Sequence, residues 1–265
     1  MNNRIVRQWF LGAIVACAVA AFGSAPVRAD QQVVRIGTEA DYAPFEYKDA
    51  NGKLQGFEIE LGNAMCTQAK LKCEYVNMAF DSMIAALQAK KIDAVLSQMS
   101  ITPAREKVVD FTKPLTITPA RFIAKKGSGI TDDPATFKGK TVAVQSGTTG
   151  EVYFNLKLKG IAQVKSYTGQ DQAYADLTAG RVDAALADET IGFDWLKKAG
   201  TAAGFAFAGP ELNNEEIFGK GAGIALRKGD PLRATLNAAF DAVVKDGTYK
   251  KINDAYFPFS ILPKK

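Results

Sequence analysis

The sequence predicts an α/β protein built from two lobes of similar construction. Short apolar segments typical of strands alternate along the chain with segments whose apolar residues recur at helical spacing. An internal echo supports the second lobe, because residues 87–96, LQAKKIDAVL, recur as residues 177–186, LTAGRVDAAL. In both copies a helix end turns through a basic residue into a strand that begins Ile/Val-Asp-Ala. A chance similarity between two helix-to-strand turns is the alternative at this point.

The N-terminal residues have the pattern of a secretory leader. Two arginines precede an apolar run of 15 residues, Trp9–Gly23, which is shorter than the roughly 20 residues that a spanning helix needs. Val27-Arg28-Ala29 then supplies the small residues at −3 and −1 that signal peptidase prefers. We expect residues 1–29 to be a cleaved signal peptide and the mature protein to be periplasmic. A lipoprotein is the alternative, because Ile14-Val-Ala-Cys17 resembles a lipidation box.

The composition limits the possible partners of the mature chain. With 47% hydrophobic and 23% charged residues, the chain has the composition of a folded globular protein rather than a disordered one. Removal of the leader takes away three arginines and no acidic residue, so the formal net charge falls from +5 to +2. That balance is not typical of a nucleic-acid-binding protein, and we expect no nucleic-acid partner.

Cleavage would leave Cys66 and Cys73 as a pair in an oxidising compartment, and we expect them to form a disulfide. A reactive or metal-binding thiol pair is the alternative, but the spacing is not Cys-x-x-Cys and the chain contains no histidine. The absence of histidine also excludes Ser-His and Cys-His catalytic arrangements. We expect neither a metal nor a cofactor.

The elements before the echo can be placed from their patterns. They are a strand at 33–37, a hairpin at Gly52, a helix from Phe57 to about Ala69, a strand at 71–76 and a helix that begins with Phe80. The loop at 38–45 carries Tyr42 and two carboxylates, and such loops often hold functional groups. Core packing is the alternative interpretation of Phe80, which lies at helical spacing from later apolar residues.

Residues 97–105, SQMSITPAR, follow the strand of the first echo segment. Thr102 can cap the next helix, and Pro103 suits its first turn. Hydroxyl and backbone N–H donors would then lie beside the positive end of the helix, with the guanidinium of Arg105 one turn away. Such a place can bind a carboxylate, although an ordinary junction with a solvated arginine has the same pattern.

The second lobe offers a similar junction. It is expected to begin near Lys125, with residues 137–144 as its first strand. The strand leads into residues 145–151, QSGTTGE, where Thr148 and Glu151 have the spacing of a capping box. This predicts a second anion-receptive helix start, for which a plain capped helix is the alternative. The spacing of a Walker phosphate loop is missing.

The echo also aligns two strand ends. Ser97-Gln98 and Ala187-Asp188 would lie at equivalent carboxyl ends of parallel strands, where open α/β sheets bind ligands. The remaining elements are a segment at 206–210 that closes the second lobe, a strand at 221–227 that returns to the first, and a helix after Pro231 whose apolar face is Leu232, Leu236, Ala239, Phe240 and Val243.

These residues resemble a known family. The matching motifs are IGT at 36–38, YAPF at 42–45, GFEIEL at 56–61, SITPAR at 100–105, DGTYKKI at 246–252, Tyr256-Phe257 and the cysteine pair. They are similar to the polar amino-acid-binding proteins of ABC importers, and in particular to the lysine/arginine/ornithine- and arginine-binding members. The resemblance spans residues 33–259.

The resemblance implies the two-lobed periplasmic-binding-protein fold of type II. The implied lobes are residues 30–116 with 221–265 and residues 121–212, and the implied hinges are residues 117–120 and 213–220. The lobes would close on one amino acid, and the closed monomer would then dock transiently on a membrane ABC permease. No catalytic residue is implied.

The resemblance also assigns the backbone groups of the ligand. Arg105 would bind the α-carboxylate through two hydrogen bonds, and Asp188 would bind the α-ammonium. Both charges need partners because a zwitterion loses its water at a high cost otherwise. The supporting contacts would come from Ser97, Gln98, Ser100, Thr148 and Thr149.

Tyr42 and Phe80 would enclose the aliphatic stem of the ligand, Glu39 would face a distal cation, and Gln145 completes the implied lining. The sequence departs from the family pattern at four of its positions. Family members often have Asp at position 39 and Ser at position 98, where this chain has Glu39 and Gln98. They often have Leu at position 145 and a larger residue at position 150, where this chain has Gln145 and Gly150. A carboxylate at 39 favours arginine, lysine or ornithine. Histidine and larger opine-type ligands stay open because glycine at 150 leaves extra room.

Two other classes of protein share this resemblance. Exported dehydratases of prephenate-like or arogenate-like acids have a similar fold, and Glu39 or Asp188 would be the general acid there. A binding protein fits better because carboxylates for both ligand cations are present. The sensor domain of a membrane receptor is disfavoured because no spanning helix follows Leu262.

Overall fold

The computed structural model describes residues 32–264. The predicted signal peptide and the lipoprotein alternative at Cys17 lie outside the described residues. The strands are β1 (Val33–Thr38), β2 (Asp41–Tyr42), β3 (Glu46–Lys48), β4 (Leu54–Gln55), β5 (Lys72–Asn77), β6 (Ala94–Val95), β7 (Asp110–Phe111), β8 (Ala120–Lys125), β9 (Thr141–Gln145), β10 (Gln163–Tyr167), β11 (Ala184–Asp188), β12 (Phe205–Leu212) and β13 (Ala225–Leu226).

The helices lie between and after these strands. They are α1 (Phe57–Gln68), α2 (Met83–Gln88), α3 (Pro103–Glu106), α4 (Thr149–Lys157), α5 (Gln170–Thr178), α6 (Glu189–Trp195), α7 (Glu215–Phe218), α8 (Leu232–Lys245) and α9 (Thr248–Tyr256). Short 3-10 turns cover Phe80–Ser82 and Pro134–Phe137, and a π-helical turn covers Leu196–Gly200.

Two mixed sheets form the two lobes. The first has the order β5-β1-β6-β13-β7 and the second the order β10-β9-β11-β8-β12, each with five strands. A small antiparallel sheet, β2-β3-β4, is associated with the first lobe. The chain passes from the first sheet to the second between β7 and β8 and returns between β12 and β13. The predicted two-lobed α/β class is therefore confirmed.

The first strand of the second lobe is different from the predicted one. β8 precedes the segment 137–144 and lies antiparallel between β11 and β12. Phe137 ends a 3-10 turn that Asp133 caps, Gly139 has a φ of 72°, and the strand β9 begins only at Thr141. The turn forms because glycine adopts a positive φ at low cost, and it shortens the predicted strand.

The echo segments fold alike. In each segment a helix ends and a strand begins, and this strand lies beside the first strand of a β-α-β unit. The aspartate that both segments share forms hydrogen bonds with the backbone of that first strand. Asp93 accepts the Arg35 N–H at 3.1 Å and its own N–H donates to the Arg35 carbonyl at 2.7 Å. Asp183 does the same with Thr141, at 2.8 Å in both bonds. The echo is thus a structural repeat, and its aspartate fixes the register between strands.

Aromatic packing fills the first lobe. The rings of Phe45 and Phe57 are 5.8 Å apart, and Phe257 lies 5.4 Å from the former and 5.5 Å from the latter. The apolar face predicted for the helix after Pro231 is buried at all five positions of α8. This core holds β3 and the start of α1 together beneath the loops at the strand ends.

The predicted disulfide is confirmed. Cys66 near the end of α1 is bonded to Cys73 in β5, with the two Cα atoms 6.2 Å apart. The bond fixes α1 to the edge strand that follows it. Neither cysteine lines the cavity described below.

The second crossing between the lobes is partly helical. α7 lies within the implied hinge at 213–220, and its Ile217 and Phe218 are buried in the core of the second lobe. The ring of Phe218 lies 5.5 Å from that of Tyr153 in α4. Helix α7 therefore packs as part of the second lobe.

Candidate ligand-binding site

A cavity lies between the lobes. Its walls are polar and come from both sheets. The lining residues are Glu39, Tyr42, Phe80, Ser97, Gln98, Ser100, Arg105, Gln145, Thr148, Thr149 and Asp188. The structure thus brings together all eleven residues that the resemblance implied, while their contact with a ligand stays a prediction.

Strand ends place the polar groups of the cavity. Glu39 follows β1 and Ser97-Gln98 follow β6, which pairs in parallel with β1. Gln145 ends β9 and Asp188 ends β11, which form a second parallel pair. Parallel strands end at the same edge of a sheet, so each lobe presents its polar groups at one edge facing the other lobe.

Arg105 lies at the start of a short capped helix. Thr102 caps α3 by accepting the Arg105 N–H at 3.3 Å, as predicted. The guanidinium donates to the Ser100 carbonyl at 2.9 Å and to the Gly147 carbonyl at 3.0 Å, and it lies 5.4 Å from the ring centre of Phe80. Enclosure lowers the pKa of Arg105 to about 10, so the group stays cationic at neutral pH.

The predicted capping box at α4 forms only in part. Thr148 caps the helix by accepting the Glu151 N–H at 3.4 Å. The Glu151 carboxylate accepts the N–H of Gly147 at 2.9 Å instead of that of Thr148, whose N–H already donates to the Gln145 carbonyl. The helix start nevertheless faces the cavity through Thr148 and Thr149.

Asp188 is a carboxylate without a cationic partner. It accepts the Tyr42 hydroxyl at 3.1 Å, and within residues 32–264 it forms no ion pair with a lysine or arginine. Removal from water raises the pKa of Asp188 to about 6, although the Tyr42 bond and the Arg105 charge oppose this. An ammonium group at this position would supply the missing charge.

Glu39 lies in a similar environment on the first lobe. It is 6% exposed and accepts the side-chain N–H of Gln145 at 2.6 Å. Gln145 also donates to the Thr168 carbonyl at 3.2 Å, which orients the amide. Burial, reinforced by the charges of Asp41 and Asp81, raises the pKa of Glu39 to about 7, against the lowering effect of the Gln145 bond.

Polar contacts join the lobes around the cavity. Within residues 32–264, the hydrogen bonds between the lobes are those of Tyr42 with Asp188, Arg105 with the Gly147 carbonyl and Gln145 with Glu39. At Gly147 the backbones also approach, because a Cβ built on this glycine would lie 2.9 Å from the Asp81 Cα. Gly147 has a φ of 74°, a second reason why glycine suits this position.

Sequence reasoning missed two glutamates behind the cavity. Glu46 and Glu58 are 0% and 1% exposed, and they accept hydrogen bonds from Ser97 and Gln98. Each follows a fully buried phenylalanine, Phe45 or Phe57. A charged residue next to a core aromatic in two neighbouring motifs was the available signal.

Two further spaces adjoin the cavity. One shares Asp188 with the cavity and is lined by Gly150, Gln170 and Leu186 among others. Another shares Glu39 with the cavity and includes Asp41 and Asp171. The described residues contain no cluster of side chains suited to a metal ion.

In the part of the chain that the structure describes, no helix has the length and apolar character needed to cross a membrane.

Comparison with known proteins places these features in a family. The model of the bacterial extracellular solute-binding proteins, family 3, matches residues 34–259. The lysine/arginine/ornithine-binding periplasmic protein of Escherichia coli is 44% identical over 233 residues, covering 87% of this chain and 89% of that protein. The histidine-binding periplasmic protein of Salmonella typhimurium is 42% identical over 247 residues, covering 92% and 93%.

The fold agrees with this assignment. A solved structure of an ancestral arginine-binding protein bound to arginine has a TM-score of 0.79 and 38% identity, covering 86% of this chain and 99% of that one. The chain therefore belongs to the bacterial extracellular solute-binding proteins of family 3.

Proposed function

We propose that this protein captures a basic amino acid, arginine, lysine or ornithine, between its lobes. The observation that carries the proposal is the charge arrangement of the cavity. One cation, Arg105, lines the cavity together with two carboxylates, Glu39 and Asp188, that have no ion-pair partner in the described residues. A basic amino acid carries the complementary set of one carboxylate and two cations.

Each ligand charge then has a partner. The α-carboxylate lies against the free donors of Arg105 and the start of α4 at Thr148 and Thr149. The α-ammonium lies against Asp188, and the distal cation lies against Glu39. The bound cations lower the pKa of both carboxyl groups and keep them ionised. Tyr42 and Phe80 enclose the apolar stem between these ends.

Ligand capture favours the arrangement in which the lobes meet. The ligand contacts Arg105 on one lobe and Asp188 on the other, so it binds the closed form more tightly than the open form. One lobe is residues 30–116 with 221–265, and the other is residues 121–212. The two lobes move about the segments 117–120 and 213–220. Within the second segment, α7 moves with the second lobe and the bending falls on the residues around it.

The closed monomer delivers its ligand to an ABC permease from the periplasm. The family assignment supports an extracytoplasmic location. Residues 1–29 direct the export of the chain and are removed afterwards. No nucleic acid or cofactor takes part.

Calorimetric titration tests the ligand assignment. Mature protein is unfolded and refolded to remove carried-over ligand, and then titrated with arginine, lysine, ornithine, histidine, glutamine and glutamate. We expect tight binding of the basic amino acids alone. Binding confined to neutral or acidic amino acids would contradict the role of Glu39 and leave the fold assignment intact.

The space beyond Asp188 favours a second candidate ligand. A Cβ on Gly150 would meet the Leu186 side chain at 3.4 Å, and a larger residue at this position would fill the space that these two residues line. An opine carries its extra group on the α-nitrogen, next to Asp188, and would extend into this space. Histidine is the other candidate. An opine and histidine added to the titration distinguish these ligands by relative affinity.

The raised pKa values of Glu39 and Asp188 also suit a general acid, as in dehydratases of similar fold. We propose that the protein is not an enzyme, because the relatives compared above are binding proteins. Incubation with prephenate and arogenate, followed by absorbance of an aromatic product, tests this. We expect no product above a protein-free control, and sustained turnover would contradict the proposal.

A further inference from the structure

Two buried glutamates hold the loop that lines the cavity at the end of β6. Glu46 Oε1 accepts the Ser97 hydroxyl at 2.6 Å, and Glu58 Oε2 accepts the Gln98 N–H at 2.7 Å. The two glutamates therefore bond two consecutive residues of one loop. Gln98 needs such support because its φ of 44° is rarely adopted by residues other than glycine.

No cation compensates these carboxyl groups. Within residues 32–264, neither glutamate forms an ion pair with a lysine or arginine. The titratable groups that face them are acids and phenols, namely Glu39, Asp188, Tyr42, Tyr75 and Tyr249. Two adjacent carboxylates buried without a cation cannot both be ionised at an acceptable cost.

One atom identifies where the proton lies. Glu46 Oε2 is buried and has no hydrogen-bond partner as an acceptor. A proton on this oxygen gives it a partner, because the Glu58 carboxylate is adjacent and can accept. Burial and the Glu58 charge raise the pKa of Glu46 well above its ordinary value, whereas burial raises that of Glu58 to about 7.

We propose that Glu46 and Glu58 form a carboxyl–carboxylate pair that shares one proton and positions the Ser97–Gln98 loop for ligand binding. The ligand part of this inference rests on the proposed function. Ser97 donates its only proton to Glu46, so its oxygen presents lone pairs to N–H donors. One lone pair accepts the Glu39 N–H at 3.1 Å, and the other faces the cavity as an acceptor for the ligand ammonium.

Substitution of Glu46 separates hydrogen bonding from charge. In Glu46→Gln the amide oxygen still accepts from Ser97 and the amide N–H still donates to Glu58, so we expect arginine affinity within about threefold of wild type. Glu46→Leu keeps the approximate size and removes both bonds, and we expect a loss of about tenfold or more. Equal losses in the two variants, or no loss in either, would overturn the positioning role.

The pH dependence of unfolding tests the shared proton without any ligand. A folded-state pKa above the unfolded value means that the folded chain retains a proton, so stability falls as pH rises above the unfolded value. The free energy of unfolding, measured with urea between pH 5 and 8, should therefore fall as the pH rises. Glu46→Gln should make this pH dependence weaker by about one bound proton, which is a tenfold change in the unfolding constant per pH unit. An unchanged pH dependence would overturn the proposal.

Infrared spectroscopy observes the proton directly. We expect ligand-free Glu39→Gln, labelled with ¹³C-glutamate, to show a protonated-carboxyl C=O band at pH 8, and the double variant Glu39→Gln/Glu46→Gln to lack it. Glu39→Gln is the background because Glu39, with a pKa of about 7, would add a protonated band of its own. A band of equal intensity in the double variant would overturn the proposal. If no amino acid binds, the proposed function fails while these two ligand-free experiments still decide the acid pair.

Discussion

Replacement of Glu39 by glutamine removes one charge from the cavity and leaves the volume of the side chain nearly unchanged. Glu39 is 6% exposed and has no ion-pair partner in the described residues, so in our proposal the ligand cation is its counter-charge. Loss of one partner from a buried charge pair costs about 2–5 kcal/mol, a thirtyfold to several thousandfold loss of affinity. We expect that loss for arginine in Glu39→Gln at pH 8.

The raised pKa of Glu39 gives a second, independent magnitude. With a pKa of about 7, the carboxyl is half ionised at pH 7 and about one per cent ionised at pH 5. Arginine affinity of the wild type should therefore fall about fiftyfold over this interval through Glu39 alone. The direction follows because the cation binds the ionised form.

Calorimetry with arginine and glutamine at pH 8, 7 and 5 measures both effects. Glutamine is the matched ligand, because it shares the α-groups but carries no distal cation. Its pH dependence reports Asp188, whose pKa is about 6. Glu74→Gln is the control variant, since Glu74 lies on the exposed edge strand β5 away from the cavity. The reasoning is refuted if Glu39→Gln keeps arginine affinity within a few-fold, or if wild-type affinity does not change with pH.

Three further predictions concern single contacts. Arg105→Ala should abolish measurable binding because it leaves the ligand carboxylate buried without a partner, and calorimetric affinity within a few-fold of wild type would contradict this. Tyr42→Phe removes the bond to Asp188 and should weaken arginine binding about tenfold at pH 7, since the pKa of Asp188 then rises further; unchanged binding would exclude that role. Replacement of Cys66 and Cys73 by serine should lower the free energy of unfolding by about 2–3 kcal/mol with ligand affinity unchanged. Urea titration checks this, and an unaltered midpoint would show that the bond contributes nothing.

The two-lobed fold could be predicted because its signals are local. The echo segments recur for a physical reason, as Asp93 and Asp183 each bond the backbone of a neighbouring strand. The apolar face of α8 follows directly from helical spacing. Strand β8 was missed because its pairing with β11 and β12 joins residues far apart in the chain, and pairing at that range leaves no periodic signal.

The candidate site was predictable for a different reason. Of its eleven residues, only Tyr42, Ser100 and Arg105 lie within the matching motifs, so the resemblance of the chain as a whole supplied the other positions. The contacts behind the cavity were not available in this way. Glu46 and Glu58 occupy positions where exposed glutamates are common, and only the folded core shows that both are buried against one loop.

The bonds between the lobes also lie beyond sequence reasoning. Gln145 and Glu39 are 106 residues apart, and their bond forms only when the two lobes meet. The same is true of Arg105 and the Gly147 carbonyl. Such contacts depend on the relative position of two separately folded units, which local patterns do not encode.

The close approach of Gly147 to the backbone of Asp81 limits how far the lobes can close. Because backbone meets backbone there, the protein rather than the ligand sets the minimum separation of the lobes. A ligand shorter than this separation leaves one of its ends without a contact, and a longer one prevents the two backbones from meeting. The minimum separation of the lobes therefore limits which ligand lengths both lobes can contact, and a methyl group on residue 147 would lengthen that separation although residue 147 does not line the cavity.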